Sequence, residues 1–250
     1  MQAYWTLTRR ELAGFFVSFT GYLIIASAVF LMGLSFVILL YRLQDETTTL
    51  PVTQLFFSTP FFWLILLLGV PVITMRLFAL EKYSGTFETL MTTPVSDLQV
   101  VLAKFTAAAV FYMFMWLPLL VYILILHHYT NHQEAIDWGL IGSAFLGVAL
   151  LGSLFMSLGC LASALTRSQI VAAMISFTLG FTFFLLSFLP GYIPMTAHWQ
   201  AQVFSHFALI DQMEDFARGL VDTRHIVFYL SMTLLSLFLT LRVVESRRWK

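Results

Sequence analysis

Six stretches of this 250-residue chain contain no Asp, Glu, Lys or Arg: residues 12–41, 47–75, 105–133, 138–166, 168–210 and 225–241. No other feature constrains the fold as tightly. A helix needs about 20 apolar residues to cross the hydrocarbon layer of a bilayer, and each run reaches or approaches that length. Inside hydrocarbon every backbone polar group must find its partner within the chain, which a helix achieves locally. The runs therefore predict an all-α integral membrane protein with six transmembrane helices, near 19–41, 57–75, 103–126, 138–164, 169–189 and 225–243. Composition removes the alternative. The chain is 60% apolar and 10% charged, against roughly 25% charged in a soluble domain. So little charge cannot clothe a water-facing surface, and a soluble enzyme is excluded.

Two runs need closer reading. The long one at 168–210 is interrupted by Pro190, Gly191 and Pro194 and by the polar Thr196, His198 and Gln200, so it predicts one span rather than two. Residues 190–224 are then expected at the membrane surface, as a loop with short or re-entrant helices. The first run follows Arg9-Arg10 and contains the cleavage-like triplet Ala26-Ser27-Ala28. A signal peptide's apolar region is only about 7–15 residues long, and this run continues well past the triplet, so it reads as an uncleaved first span. Ahead of it, Tyr4, Trp5, Leu12, Phe15 and Phe16 alternate with Arg9, Arg10 and Glu11. That pattern predicts an interfacial helix with those three charges in water.

The net charge is zero, yet the charges are sided. Arg9, Arg10, Arg76, Lys82, Lys104, Arg167, Arg242, Arg247, Arg248 and Lys250 fall on one side of the predicted topology, and Arg42, Arg218 and Arg224 on the other. Cationic loops favour the cytoplasm, so both termini are expected there. The balanced charge gives no footprint for nucleic acid.

Residues that could carry chemistry are scarce. None of the three lysines, Lys82, Lys104 and Lys250, follows a glycine, so a phosphate-cradling P-loop is absent. The lone Cys160 excludes a disulfide framework and a cysteine-rich metal site. His127, His128, His132, His198, His206 and His225 sit at span ends or in loops, and no H-E-x-x-H occurs. No ionisable side chain is expected within a span, which argues against an ion-coupled carrier. No catalytic, metal or cofactor site is expected, and the chain does not read as an enzyme. The fourth span carries Gly139, Ser143 and Gly147, followed by Gly152, Ser153, Ser157, Gly159 and Ser163. Small residues at this spacing let helices approach closely, either within the chain or across a dimer.

The connection from Arg76 to Lys104 is the most informative. Leu77, Leu80, Ser84, Phe87, Leu90 and Met91 fall mostly on one helical face, with Glu81, Lys82, Glu88 and Thr89 elsewhere. Gly85 is expected to bend or divide this helix and Pro94 to end it. Ser96 with Gln99 forms a capping box for the helix that follows. Lipid-bound helices are typically rich in Lys and Arg. The mixed charge here suits a protein-docking element better.

At these residues the sequence resembles a known family. Met75 through Lys82, Ser84-Gly85-Thr86-Phe87-Glu88-Thr89-Leu90 and Thr93-Pro94-Val95-Ser96-Asp97 look like the ABC-2-type transporter permeases, most of all the gliding-motility-associated permease group. Arg10-Glu11-Leu12, Phe15-Phe16, Gly21-Tyr22-Leu23, the patch Ser163 to Ala172 and Arg218-Gly219-Leu220-Val221-Asp222 fit the same pattern. The resemblance implies a multi-pass permease of a bacterial inner membrane, paired with a second permease and with separate ATPase subunits that bind the ATP. It implies exporter-like transport by ATP-driven alternation, or, as an alternative, a non-transporting scaffold, mechanical or assembly component using the same ATPase. Glu81, Lys82, Gly85, Thr86, Glu88 and Pro94 would form the coupling helix, and Gly139, Ser143 and Gly147 would serve helix packing or dimerisation. Leu80 and Tyr83 depart from the family pattern, standing where an acidic and a basic residue are common.

Overall fold

The computed structural model describes residues 2–45, 52–87, 95–130, 137–189 and 206–246, which form ten α-helices and no strand. In chain order they are α1 (Gln2–Val17), α2 (Phe19–Asp45), α3 (Val52–Phe57), α4 (Pro60–Thr74), α5 (Ala79–Ser84), α6 (Asp97–Thr130), α7 (Trp138–Leu165), α8 (Gln169–Leu186), α9 (Leu209–Ala217) and α10 (Thr223–Ser246). Six segments, α2, α4 with the turn and α5 that follow it (Pro60–Ser84), α6, α7, α8 and α10, are long and apolar enough to cross a membrane.

The span positions agree with the charge-free runs, and their ends differ for identifiable reasons. The second span begins at Pro60 rather than near 57, because Ser58 and Thr59 form a turn that separates α3 from α4. Proline suits the first turn of a helix, where its missing N–H has no intrahelical acceptor. The third begins at Asp97, ahead of the expected 103. The backbone N–H of Ser96 donates to Gln99 Oε1 at 3.4 Å, and that of Gln99 donates to Ser96 Oγ at 3.3 Å. This reciprocal cap satisfies two N–H groups that a helix start leaves orphaned, so the helix opens before the apolar run does.

The bundle is organised around α7, of whose most apolar window 72% is buried, against 17% for α8. In lipid an apolar side chain gains little by leaving hydrocarbon for protein, so close backbone approach and polar pairing decide which helices meet. The small residues of α7 supply the approach. A Cβ at Gly152 would run into the Tyr112 ring of α6, and one at Gly159 into the side chain of Thr74 on α4. On Gly147 a Cβ would stand 2.8 Å from Cβ of Phe216 on α9. Ser143 Oγ donates to the Phe216 carbonyl at 2.7 Å, and Thr53 Oγ1 on α3 donates to the Ala217 carbonyl at 2.8 Å. These two bonds satisfy carbonyls at the C-terminal end of α9, which would otherwise be orphaned. Gly219, at φ 84°, ends that segment, with the Leu220 N–H donating back to Asp215 O at 2.9 Å.

So Ser143 and Gly147 meet a helix of their own chain, while the Gly139 N–H donates to its cap, Asp137 Oδ1, at 2.7 Å. Within the expected surface region 190–224, α9 is packed into the bundle through Leu209, Met213 and Phe216. Residues 190–205 lie outside the described residues. The outward faces of α2, α8 and α10 carry large apolar side chains such as Phe30, Met174 and Leu234, as a lipid-facing surface requires.

Candidate functional site

One end of the bundle gathers α1, the α4–α6 connection, the α7–α8 turn and the end of α10. The connection is built from its anchors outward. After α4 the chain turns through 75–78, and Arg76 Nη1 donates to Ser18 Oγ at 2.8 Å and to Thr20 Oγ1, pinning the turn to the α1–α2 junction. Ser163 of α7 then accepts the N–H groups of Phe78 (3.0 Å) and Ala79 (3.1 Å) and donates to Met75 O at 3.1 Å. One hydroxyl thus satisfies two of the orphan donors at the start of α5 and a carbonyl beyond the end of α4. Gly85 closes α5 at φ 75°, a left-handed conformation that glycine adopts without penalty from a Cβ.

Beneath α5 lies a four-charge hub. Lys104, 2% exposed and eight residues into α6, pairs with Glu11 of α1 at 3.1 Å and with Glu81 of α5 at 2.9 Å. Arg10 pairs with Glu11 at 2.8 Å and with Glu81 at 3.3 Å. Two cations and two carboxylates balance, so the buried ammonium carries no uncompensated charge. The Lys104 ammonium also stands 5.5 Å from the centre of the Phe78 ring. Burial would raise the Glu11 pKa, but the charge of Lys104 and the hydrogen bonds from Arg10 and Lys104 outweigh it and hold the carboxyl below its ordinary value. The hydrogen bond to Glu11 outweighs partial burial and raises the Arg10 pKa.

The hub corrects two expectations. Glu11 is not in water, and an ionisable side chain is enclosed within a span helix. The signals were present in the sequence. Glu11 shares the face of α1 that carries Thr8 and Phe15, both buried, and Lys104 interrupts the buried series Val100, Val101, Ala103, Ala107, Ala108. An acid on one inward stripe and a base on another are complementary. Neither stripe alone names its partner.

The predicted coupling residues divide. Glu81 is held in the hub. Lys82, expected away from the apolar face, is buried, and its ammonium donates to the Ala164 carbonyl at the end of α7 and lies 5.2 Å from the Phe87 ring. The last carbonyls of a helix are unsatisfied and negatively polarised, which attracts a cation. Ser84, placed by periodicity on the apolar face, is instead exposed, because α5 turns Ala79 and Lys82 inward and Ser84 lies off that face. Tyr83, Ser84, Gly85 and Thr86 form an exposed tip, with Tyr83 78% accessible and Ser84 Oγ hydrogen-bonded to Thr86 Oγ1 at 2.8 Å. Glu88 and Pro94 lie outside the described residues. The arrangement is a rigidly braced connection that presents an uncharged tip.

The family model described as ABC-2 family transporter protein matches residues 26–242. This chain belongs to the ABC-2 transporter family. A search of curated proteins finds no match. As a family member it is a multi-pass membrane component of a transporter, a class in which the membrane subunit is generally not catalytic. The matched segment includes α4, α5, α6 and α7, hence Glu81, Lys104 and Ser163, and leaves α1 with Arg10 and Glu11 ahead of it. Among the described residues of this family member, no group of three or more His, Cys, Asp or Glu is placed to hold a metal ion.

Proposed function

We propose that the chain is the permease subunit of an ATP-driven exporter in a bacterial inner membrane, working with separate ATPase subunits and a second permease. The observation that carries this reading is the braced tip Tyr83–Thr86 at the end of the bundle richest in Lys and Arg. Cationic loops favour the cytoplasm, where ATPase subunits reside, and the chain has no P-loop of its own. The tip seats in the ATPase, and force applied there reaches α1, α6 and α7 through Glu81–Lys104–Glu11, Lys82–Ala164 and Ser163. Tyr83 is the anchor, since a projecting aromatic supplies large contact area at small entropic cost.

The test is co-purification of the tagged chain with ATPase subunits of its source. The intact chain retains ATPase, and Tyr83→Ala lowers recovery about tenfold, as loss of a central interface tyrosine does. Equal recovery with Tyr83→Ala refutes tip docking, and no retention by the intact chain refutes the ATPase partnership. The resemblance to the gliding-motility-associated group favours a second reading, in which the same ATPase drives mechanical work on a membrane partner. Vesicles holding the full complex separate the two, because only a transporter moves cargo across the bilayer on addition of ATP.

A further inference from the structure

The inward face of α1 is occupied by protein. Tyr4 Oη donates to Thr106 Oγ1 at 3.0 Å, Glu11 pairs with Lys104, and Phe15 stacks on Phe111 at 4.9 Å between ring centres. The outward face is open among the described residues. Trp5, Thr6, Arg9, Arg10 and Ala13 line an open groove of about 490 Å³ on that side, with no carboxylate among them. We infer that this groove binds the headgroup of an anionic phospholipid, with Arg9 and Arg10 holding the phosphate and Trp5 marking the interfacial level.

Arg9 is exposed and makes no hydrogen bond or ion pair among the described residues. Arg10 reaches the hub through Nη2 alone, with both Glu11 and Glu81 as acceptors, and its side chain remains 56% exposed. A guanidinium carries five N–H donors in a planar fork that matches phosphate oxygens, and Nε and Nη1 of Arg10 make no hydrogen bond among the described residues. The two arginines thus offer a phosphate more donors than it can accept.

Trp5 is 68% exposed, packed edge-on against Tyr4 at 5.8 Å between ring centres. An indole with an apolar body and one N–H favours the headgroup level of a bilayer. Depth agrees. Lys104, which α1 contacts, is eight residues into α6, or about 10 Å from the start of that helix at 1.5 Å per residue. The charge-free run of α6 begins at Phe105, directly after Lys104, so α1 packs where the apolar stretch starts. With Arg10 balanced by Glu11 and Glu81 in the hub, Arg9 is the uncompensated cation of the groove; a choline headgroup brings a second cation toward it, whereas a glycerol headgroup leaves the phosphate charge for it to meet. The groove therefore selects anionic over zwitterionic lipid. Since Arg10 belongs to both groove and hub, a bound phosphate tethers the hub to the membrane surface.

The experiment is native mass spectrometry of the full-length chain in detergent micelles carrying equal amounts of phosphatidylglycerol and phosphatidylcholine. The intact chain should retain phosphatidylglycerol preferentially. Arg9→Gln should lower that preference about fivefold, the effect of one cation near an anionic surface. Arg9→Lys keeps the charge and should keep most of the preference. Arg167→Gln removes an exposed cation from the α7–α8 turn at the same end but outside the groove, and should leave the preference intact. Equal retention of the two lipids by the intact chain overturns the inference. So does an equal loss with Arg9→Gln and Arg167→Gln, which would mean unspecific attraction to a cationic end. Retention is read without an ATPase, so its outcome is independent of tip docking.

Discussion

Replacing Lys104 by Met tests the hub most directly. The substitution keeps the length of the stem and removes the ammonium that lies 3.1 Å from Glu11 and 2.9 Å from Glu81. Two carboxylates then face each other with Arg10 as their remaining cation. Breaking a buried pair by deleting one partner costs about 3–5 kcal/mol. The Glu11 and Glu81 side chains retain 17% and 16% of their exposure, and Arg10 still holds Glu11 at 2.8 Å. Both lower the cost, to about 2–3 kcal/mol. For a chain of this size each kcal/mol moves the unfolding midpoint by about 2–4 °C, so Lys104→Met should lower Tm by about 4–12 °C, read by size exclusion of heated, detergent-purified protein. Deleting all three charges, with Glu11→Gln and Glu81→Gln added, should recover most of the loss, since a neutral isosteric set is often no worse than a buried ion cluster. A Tm within 1 °C of the parent for Lys104→Met, or a triple variant less stable than the single one, would refute the hub as the brace of the connection.

Acid should weaken the same hub. The folded Glu11 carboxyl is held below its ordinary value of 4.5, so its contribution is fully present above that pH and is lost as pH falls through the lowered folded value. Tm should therefore fall on acidification below about pH 4.5 by more for the parent than for Glu11→Gln; parallel curves would show that Glu11 contributes nothing. Glycines of α7 give a paired test of close approach. Gly152→Ala drives a methyl into the Tyr112 ring and should destabilise by about 1–3 kcal/mol as overpacking does, whereas Gly142→Ala meets nothing within 4 Å and should be neutral or slightly stabilising in the same thermal assay.

The legible parts of the site were those with local causes. Gly85 marked a point where the connecting helix bends or divides, and Ser96 with Gln99 marked a helix start, because both depend on residues within one turn of each other. The hub was not legible, since Glu11 and Lys104 are 93 positions apart. Lys82 misled for a related reason. Its charge argued for water, and only the position of the α7 C-terminus shows the carbonyl that accepts it.

The sequence by itself determined the number of spans, the sidedness of the charge and the location of the exposed connection. Each follows from runs and periodicities that the bilayer enforces on any single helix. Tertiary structure alone decided which faces meet: Gly147 and Ser143 with α9, Gly152 with Tyr112, Gly159 with Thr74, and the two carboxylates with Lys104. In hydrocarbon an apolar stripe is nearly as well placed against lipid as against protein, so hydrophobicity cannot select partners. Selection falls to the few small and polar groups whose fit exists only once the helices are side by side.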